Sequence, residues 1–277
     1  MRQTCRIVAF LVLAVGCEKS APVSVPPCAD GIVCLTPVGT DLLSAMGFTD
    51  RIVGVSNFEP DEKLRQTRPK VGDYLNVDFE RIAQLRPKFL IVQGKRDRLP
   101  SGTAERSKEL GVTPIILQVD RLDDIYITIK QIGDAIGETA AAEKLIADLK
   151  RRATQLADHR PAKPVPTLLL FNDAGTSAAG RETFIDDALT LAGGKNVVEA
   201  TGYPTLDNEK VRSLSPSVVF LMLPGASPDV VKRAEAAARA NTPQAEVFTF
   251  TDADVLMPGT AAMRLAEAMA DKLRAVP

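Results

Sequence analysis

The sequence predicts an α/β protein: two lobes with mainly parallel sheets, joined by a single long rigid α-helix. Three observations carry this. Short β-rich runs alternate with helical patterns, one uninterrupted helical stretch crosses the middle of the chain, and a helix-to-strand segment occurs once on each side of it. The length of 277 residues exceeds the ~150-residue prior for one domain, which agrees with two lobes. Hydrophobic residues make up 45% and charged residues 25%, an ordinary globular balance rather than a disordered one.

The N-terminal residues read as an export signal outside the fold. Arg2 and Arg6 precede a short apolar run from Ile7 to Gly16, shorter than the ~20 residues that span a bilayer. The exit Leu13-Ala14-Val15-Gly16-Cys17 resembles a bacterial lipobox, which implies cleavage before Cys17 and a lipid on its sulfur. Residues 18–27 are polar and Pro-rich, as a tether would be. The anchor is then the only membrane contact expected. Cys28 and Cys34 flank Asp30-Gly31, a dipeptide favoured in tight turns. In an oxidising compartment they form either a disulfide or two small core thiols, and both alternatives stand open.

In the N-terminal lobe, residues 28–121, strands are expected at Ile32–Leu35, Ile52–Val55, Phe89–Val92 and Pro114–Leu117. Helices are expected at Thr40–Met46, Asp78–Leu85 and Thr103–Leu110, the first and last closed by Gly47 and Gly111. A helical linker follows at 122–160. Its Asp120, Asp123 and Asp124 read as the capped start of a helix reaching Ile136. From Glu138 to His159 there is neither Pro nor Gly, and Leu145, Ile146, Leu149, Ala153 and Leu156 keep a 3.6-residue spacing. Such a rod is ~30 Å long. It leaves little hinge between the lobes, and Pro161, Pro164 and Pro166 end it.

In the C-terminal lobe, residues 161–277, strands are expected at Thr167–Phe171, Val218–Leu223 and Val247–Phe250. Helices are expected at Phe184–Leu191, Asp207–Leu214, Pro228–Ala240 and Thr260–Arg274. The segment from Asp78 to Pro87 matches the segment from Asp207 to Pro216 without a gap, at an offset of 129 residues. Acid, acid, base, aliphatic, Leu and Pro recur in the same order, which favours duplicated lobes. Ser44-Ala45-Met46-Gly47 and Thr190-Leu191-Ala192-Gly193 form a weaker second echo.

Thr36-Pro37-Val38-Gly39-Thr40-Asp41-Leu42-Leu43, Arg51-Ile52-Val53-Gly54-Val55-Ser56, Asn76-Val77-Asp78-Phe79-Glu80-Arg81-Ile82 and Gly180-Arg181-Glu182-Thr183-Phe184-Ile185 carry a resemblance. Together they resemble the iron-siderophore, haem and cobalamin solute-binding proteins of ABC importers, over essentially the whole chain beyond the tether. Where this chain has Asp41, that family usually has Glu. The resemblance implies two Rossmann-like lobes bridged by a rigid helix and a small-molecule metal-chelate ligand held between them. It further implies a monomer without a resident cofactor that works with a permease dimer. Glu80 and Glu209 match the acids by which that family engages basic pockets on the two permease subunits. Tyr74 stands where cobalamin binders similar to this chain place Trp and siderophore binders often Arg. Haem binders place a ligating Tyr one position earlier, where this chain has Asp73. Cobalamin is therefore the ligand expected, with a ferric siderophore or haem as the alternative.

An aromatic face suits a large flat macrocycle. Tyr203 is expected to supply the matching face from the other lobe and Phe171 to end a strand at the ligand side of its sheet, with Asn57 and Phe58 as weaker candidates by position. Other functions are disfavoured. The balance of 34 basic and 35 acidic residues provides no nucleic-acid grip. One His leaves little for His-based catalysis or a metal site, and no phosphate loop, dinucleotide fingerprint or nucleophile elbow is present to support an exported enzyme.

Overall fold

The computed structural model describes residues 30–94, 99, 102–171 and 176–276. The expected signal segment and tether, with Cys17 and Cys28, therefore lie outside the described residues. In the N-terminal lobe four parallel strands, β1 (Ile32–Cys34), β2 (Ile52–Gly54), β3 (Phe89–Gln93) and β4 (Thr113–Leu117), lie in the order β2-β1-β3-β4. Helices α1 (Pro37–Ala45), α2 (Glu62–Thr67), α3 (Phe79–Leu85) and α4 (Thr103–Glu109) connect them. Next come α5 (Leu122–Ile136) and α6 (Thr139–Asp158). The C-terminal lobe repeats the plan with β5 (Val165–Leu170), β6 (Gly194–Asn196), β7 (Val218–Met222) and β8 (Glu246–Phe250), in the order β6-β5-β7-β8. Its helices are α7 (Phe184–Ala192), α8 (Asn208–Ser213), α9 (Pro228–Asn241) and α10 (Thr260–Ala275).

Both strand orders reverse direction once, between β1 and β3 and between β5 and β7. In such sheets the carboxyl ends beside that switch form a crevice for ligand. Alternate strand residues feed different cores. Val33, Leu90 and Val92 face an outer layer containing Ile82 of α3, and Leu168, Val219 and Leu221 face one containing Val211, Ala234 and Ala238. The other faces share one continuous core. Ile32 and Ile91 of one sheet and Leu169 and Phe220 of the other join it through α1, α5, α6, α7 and α10. Each Leu or Ile so buried is worth ~1.5–3 kcal/mol, so separating the lobes would expose a large part of the molecule's stabilising surface.

Helix α6 is the expected rod. Glu138, at its start, pairs with Arg51 of the N-terminal lobe at 3.4 Å, while Arg160, past its end, donates to the Leu191 carbonyl at 3.0 Å. Ala142, Leu149 and Leu156 are its buried stripe, with Leu145, Ile146 and Ala153 packed partly buried beside them. Arg152 ties it to Glu267 of α10 through two hydrogen bonds, 2.8 and 2.7 Å. Asp124 caps α5 as expected, accepting from the Asp120 and Arg121 amides. Among the described residues no helix is long and apolar enough to cross a membrane.

The repeat extends to backbone detail. Asp78 caps α3 by accepting from the Arg81 amide at 2.9 Å, and Asp207 caps α8 through the Lys210 amide at 2.7 Å. Arg86 and Ser215, again 129 apart, both take the left-handed conformation before a proline, at φ 48° and 45°. One boundary needs correction, two elements are additions, and one open alternative is decided. Helix α1 begins at Pro37 rather than Thr40, because the fixed φ of proline suits the first helical position. Helix α2 and strand β6 were not expected. Cys34 is a free, fully buried thiol under Gly39 of α1, so for this residue the core-thiol alternative holds.

Candidate functional site

The carboxyl ends of the strands meet between the lobes, and two adjoining cavities open there. One, of about 430 Å3, is lined by Leu35, Thr36, Ser56, Phe58, Tyr74 and Gln93 of the N-terminal lobe. The other, about 680 Å3, runs between Asp120 and Arg121 on one side and Glu182, Thr201, Tyr203 and Leu256 on the other. Gln93 lines both, so they form one cleft. Together they are larger than the ~300–1,000 Å3 of a pocket for a drug-sized ligand.

Each wall carries one exposed tyrosine with a phenylalanine beside it. Tyr74 is 57% exposed with Phe58 6.2 Å away, and Tyr203 is 55% exposed with Phe171 edge-on at 5.7 Å. Tyr74 and Tyr203 stand at the same 129-residue offset as the α3 and α8 repeat, so they are equivalent residues of the two lobes. The sheets thus present one flat apolar ring from each side. The chemistry on offer is stacking and burial of a planar ligand.

The loop holding Tyr74 is built rather than loose. The Asp73 carboxylate accepts from the amides of Leu75 and Asn76 at 2.9 and 3.0 Å and from the Asn57 side chain at 3.2 Å. Gly72, at φ +97°, lies so close to the Asn76 carbonyl that an added Cβ would sit 2.0 Å from its oxygen. Asn57 is accordingly a brace for this loop and not part of the cavity lining. Asp73, at the position of the haem-type tyrosine, turns inward and is buried.

The Leu75 and Asn76 amides hold the Asp73 carboxyl below its ordinary value of 3.8. Its contribution is therefore complete above that pH and is lost only as pH falls through the lowered value. Asp73→Ala is expected to speed hydrogen exchange at the Leu75 and Asn76 amides and to weaken ligand binding by ~1–3 kcal/mol. Unchanged exchange at both amides would show the carboxylate to be dispensable.

Five further residues shape the cleft. Thr36 donates its hydroxyl to the Gln93 side-chain oxygen at 2.9 Å, tying the ends of β1 and β3 together at the switch. Among the described residues Arg121 brings the only cationic group in either lining, and it is bound to Asp187 by two hydrogen bonds. Asp120 and Glu182 add negative charge. Desolvation, then the Asp120 carboxylate, raise the Tyr203 hydroxyl above its ordinary value, which keeps it a hydroxyl rather than a phenolate. Gln93, Arg121, Glu182 and Asp120 were not expected in a ligand site. Only Gln93 had a readable signal, its place at the end of a central strand beside the switch.

A family model described as periplasmic binding protein matches residues 32–254. The chain belongs to that family. Among curated relatives, an uncharacterised ABC transporter substrate-binding lipoprotein of Bacillus subtilis is 24% identical over 197 residues, covering 68% of this chain and 62% of that protein. A vitamin B12-binding protein of Vibrio parahaemolyticus is 24% identical over 192 residues, covering 68% and 69%. The match thus spans less than two thirds of the Bacillus protein. Among solved structures, a periplasmic haem-binding protein from Pseudomonas aeruginosa superposes with a TM-score of 0.74 at 24% identity, over 88% of this chain and 92% of that one. The vitamin B12-binding protein of Vibrio cholerae gives 0.73 at 19%, over 89% and 97%. At these identities the structural likeness concerns the fold, and it confirms the two-lobed α/β architecture of this binding-protein family.

Glu80 and Glu209 are both exposed at the second position of their short helices, α3 and α8. His159 ends α6 on the surface with its Nδ1 2.7 Å from the Gln155 carbonyl oxygen, a local contact with no part in the cleft.

Proposed function

We propose that this protein is the extracytoplasmic solute-binding component of an ABC importer, anchored through a lipid on Cys17, and that it captures a corrinoid between its lobes. The observation that carries the ligand reading is the pair of equivalent tyrosines, Tyr74 and Tyr203, one on each wall of the cleft. A corrinoid is a broad macrocycle fringed with neutral amides, which suits aromatic faces and an uncharged Gln93. Haem brings carboxylates. The Arg121 guanidinium is already engaged by Asp187, while Asp120 and Glu182 repel anions. An axial phenolate bond would also work against the raised Tyr203 hydroxyl. Curated relatives named as vitamin B12- and cobalamin-binding, the latter 26% identical in Halobacterium salinarum, support the same reading. In this scheme Glu80 and Glu209 dock onto the two permease subunits, because a carboxylate pairs with guanidinium through two parallel hydrogen bonds.

The test is the visible spectrum and the calorimetric titration of purified protein with cyanocobalamin, haemin and a ferric hydroxamate. Corrinoid bands retained after desalting are the expected result. No cobalamin binding together with tight binding of the hydroxamate would overturn the corrinoid reading.

A further inference from the structure

Two helix N-termini at the lobe interface are capped by carboxylates from the opposite lobe. Helix α10 starts after Gly259, which has no side chain to cap it. Asp41 of α1 fills that role. It accepts from the Thr260 amide and the Thr260 hydroxyl, both at 2.6 Å, and Arg264 donates to the same hydroxyl at 2.9 Å. Helix α5 starts after Arg121, whose side chain only donates. Asp187 of α7 accepts from the Leu122 amide at 2.9 Å and from Arg121 Nε at 2.8 Å, with a second bond from Arg121 Nη2. Helices α1 and α7 are equivalent by the echo at Ser44 and Thr190, which are 146 residues apart, and the same offset relates Asp41 to Asp187. Helices α5 and α10 each follow the last strand of their lobe. The same contact is therefore made twice, in opposite directions.

Both contacts adjoin the cleft. Arg121, Thr183 and Phe184 line its larger cavity. Asp41 lines a cavity of about 320 Å3 that shares Pro37 with the smaller one. The lobes are joined by α6 and by the core that α1, α5, α7 and α10 share with it, and apolar packing of that kind is non-directional. Two hydrogen-bonded attachments off the α6 axis, one beside each half of the cleft, add directional ties that oppose twisting. We infer that Asp41 and Asp187 are paired positioning residues that latch the lobes together and hold the cleft at one width.

The test reads the interlobe distance in protein without ligand, so its outcome does not depend on what the cleft binds. Non-cysteine spin labels at Lys63 on α2 and Lys232 on α9, both exposed and on different lobes, report the distribution by pulsed EPR. The unaltered protein is expected to give one narrow distribution. Asp41→Ala with Asp187→Ala is expected to broaden it about twofold, as a released two-lobe equilibrium would. Gly259→Ala breaks the first latch while leaving Asp41 intact, because its Cβ would lie 2.3 Å from Asp41 Oδ2. Asp187→Asn weakens the second at constant size. Each of these should broaden the distribution by less than the double variant, and they answer the same question if the double variant fails to fold. A purely stabilising role would lower the melting temperature but leave the distribution of folded molecules narrow. A narrow distribution in all the folded variants would overturn the latch.

Discussion

Replacing Glu80 and Glu209 together by alanine is expected to abolish ligand import while leaving ligand affinity and melting temperature nearly unchanged. Both carboxylates are exposed, and the capping of each helix is done by another residue, Asp78 for α3 and Asp207 for α8. Stability therefore loses only their interaction with two short helix dipoles, ~0.3–1 kcal/mol each. Neither lines the cleft. Docking is different. If both acids dock as proposed, removing them at once would leave the partner's basic groups desolvated and unpaired, at ~2–5 kcal/mol for each buried pair. Single variants should retain partial import, since one carboxylate still steers the encounter. Uptake in cells measures the effect, and calorimetry and thermal melts supply the controls. Intact uptake with a modest fall in melting temperature would reduce both residues to helix-dipole partners and end the docking reading. Latched lobes bear on this result, because they would hold the two acids at one spacing with or without ligand.

The sequence displayed those parts of the molecule whose signals are local. Helices α3 and α8 were legible because an Asp cap, one buried aliphatic residue and a terminating proline lie within ten residues. Helix α6 was legible because its stripe persists over 20 residues. Helix α2 was not: it has six residues with only Leu64 buried, too few to establish a period. The start of α1 is marked in the sequence by Thr36-Pro37, a capping residue before a proline suited to the first helical position, and the expected start at Thr40 overlooked it; in the fold Thr36 gives its hydroxyl to Gln93 and not to the helix. Tyr203, Phe58 and Phe171 could be proposed from their positions relative to strands and repeat, whereas Tyr74 was proposed only through the family resemblance. Asn57 could not be told from a ligand contact, because its role depends on where the Asp73 side chain turns. Asp41 and Asp187 looked like ordinary acids within helices. Their partners lie 219 and 66 residues away, and only folding brings them together.

Tyr74→Ala and Tyr203→Ala are each expected to weaken cobalamin binding by ~1–3 kcal/mol, the range for an aromatic anchor stripped from a ligand face. The two rings occupy equivalent positions on opposite walls, and each has its own phenylalanine neighbour. Among the described residues their ring partners differ, Phe58 for one and Phe171 for the other, so the losses should approximately add in the double variant, to ~2–6 kcal/mol. Additivity is the informative result. It requires one ligand to touch both walls at once, whereas a ligand seated on the N-terminal wall alone would make Tyr203→Ala silent. Tyr→Phe at both positions separates ring from hydroxyl. If stacking carries the energy, the double Phe variant should bind within ~1 kcal/mol of the parent, since only hydroxyl hydrogen bonds are removed. If the hydroxyls carry it, Phe and Ala should cost about the same, and the stacked-macrocycle reading fails. Calorimetric titration with cyanocobalamin at near-neutral pH measures all of these. The Tyr203 hydroxyl stays protonated there, because its ordinary value of 10.0 lies well above that pH and desolvation of the hydroxyl and the Asp120 carboxylate both act upward on it.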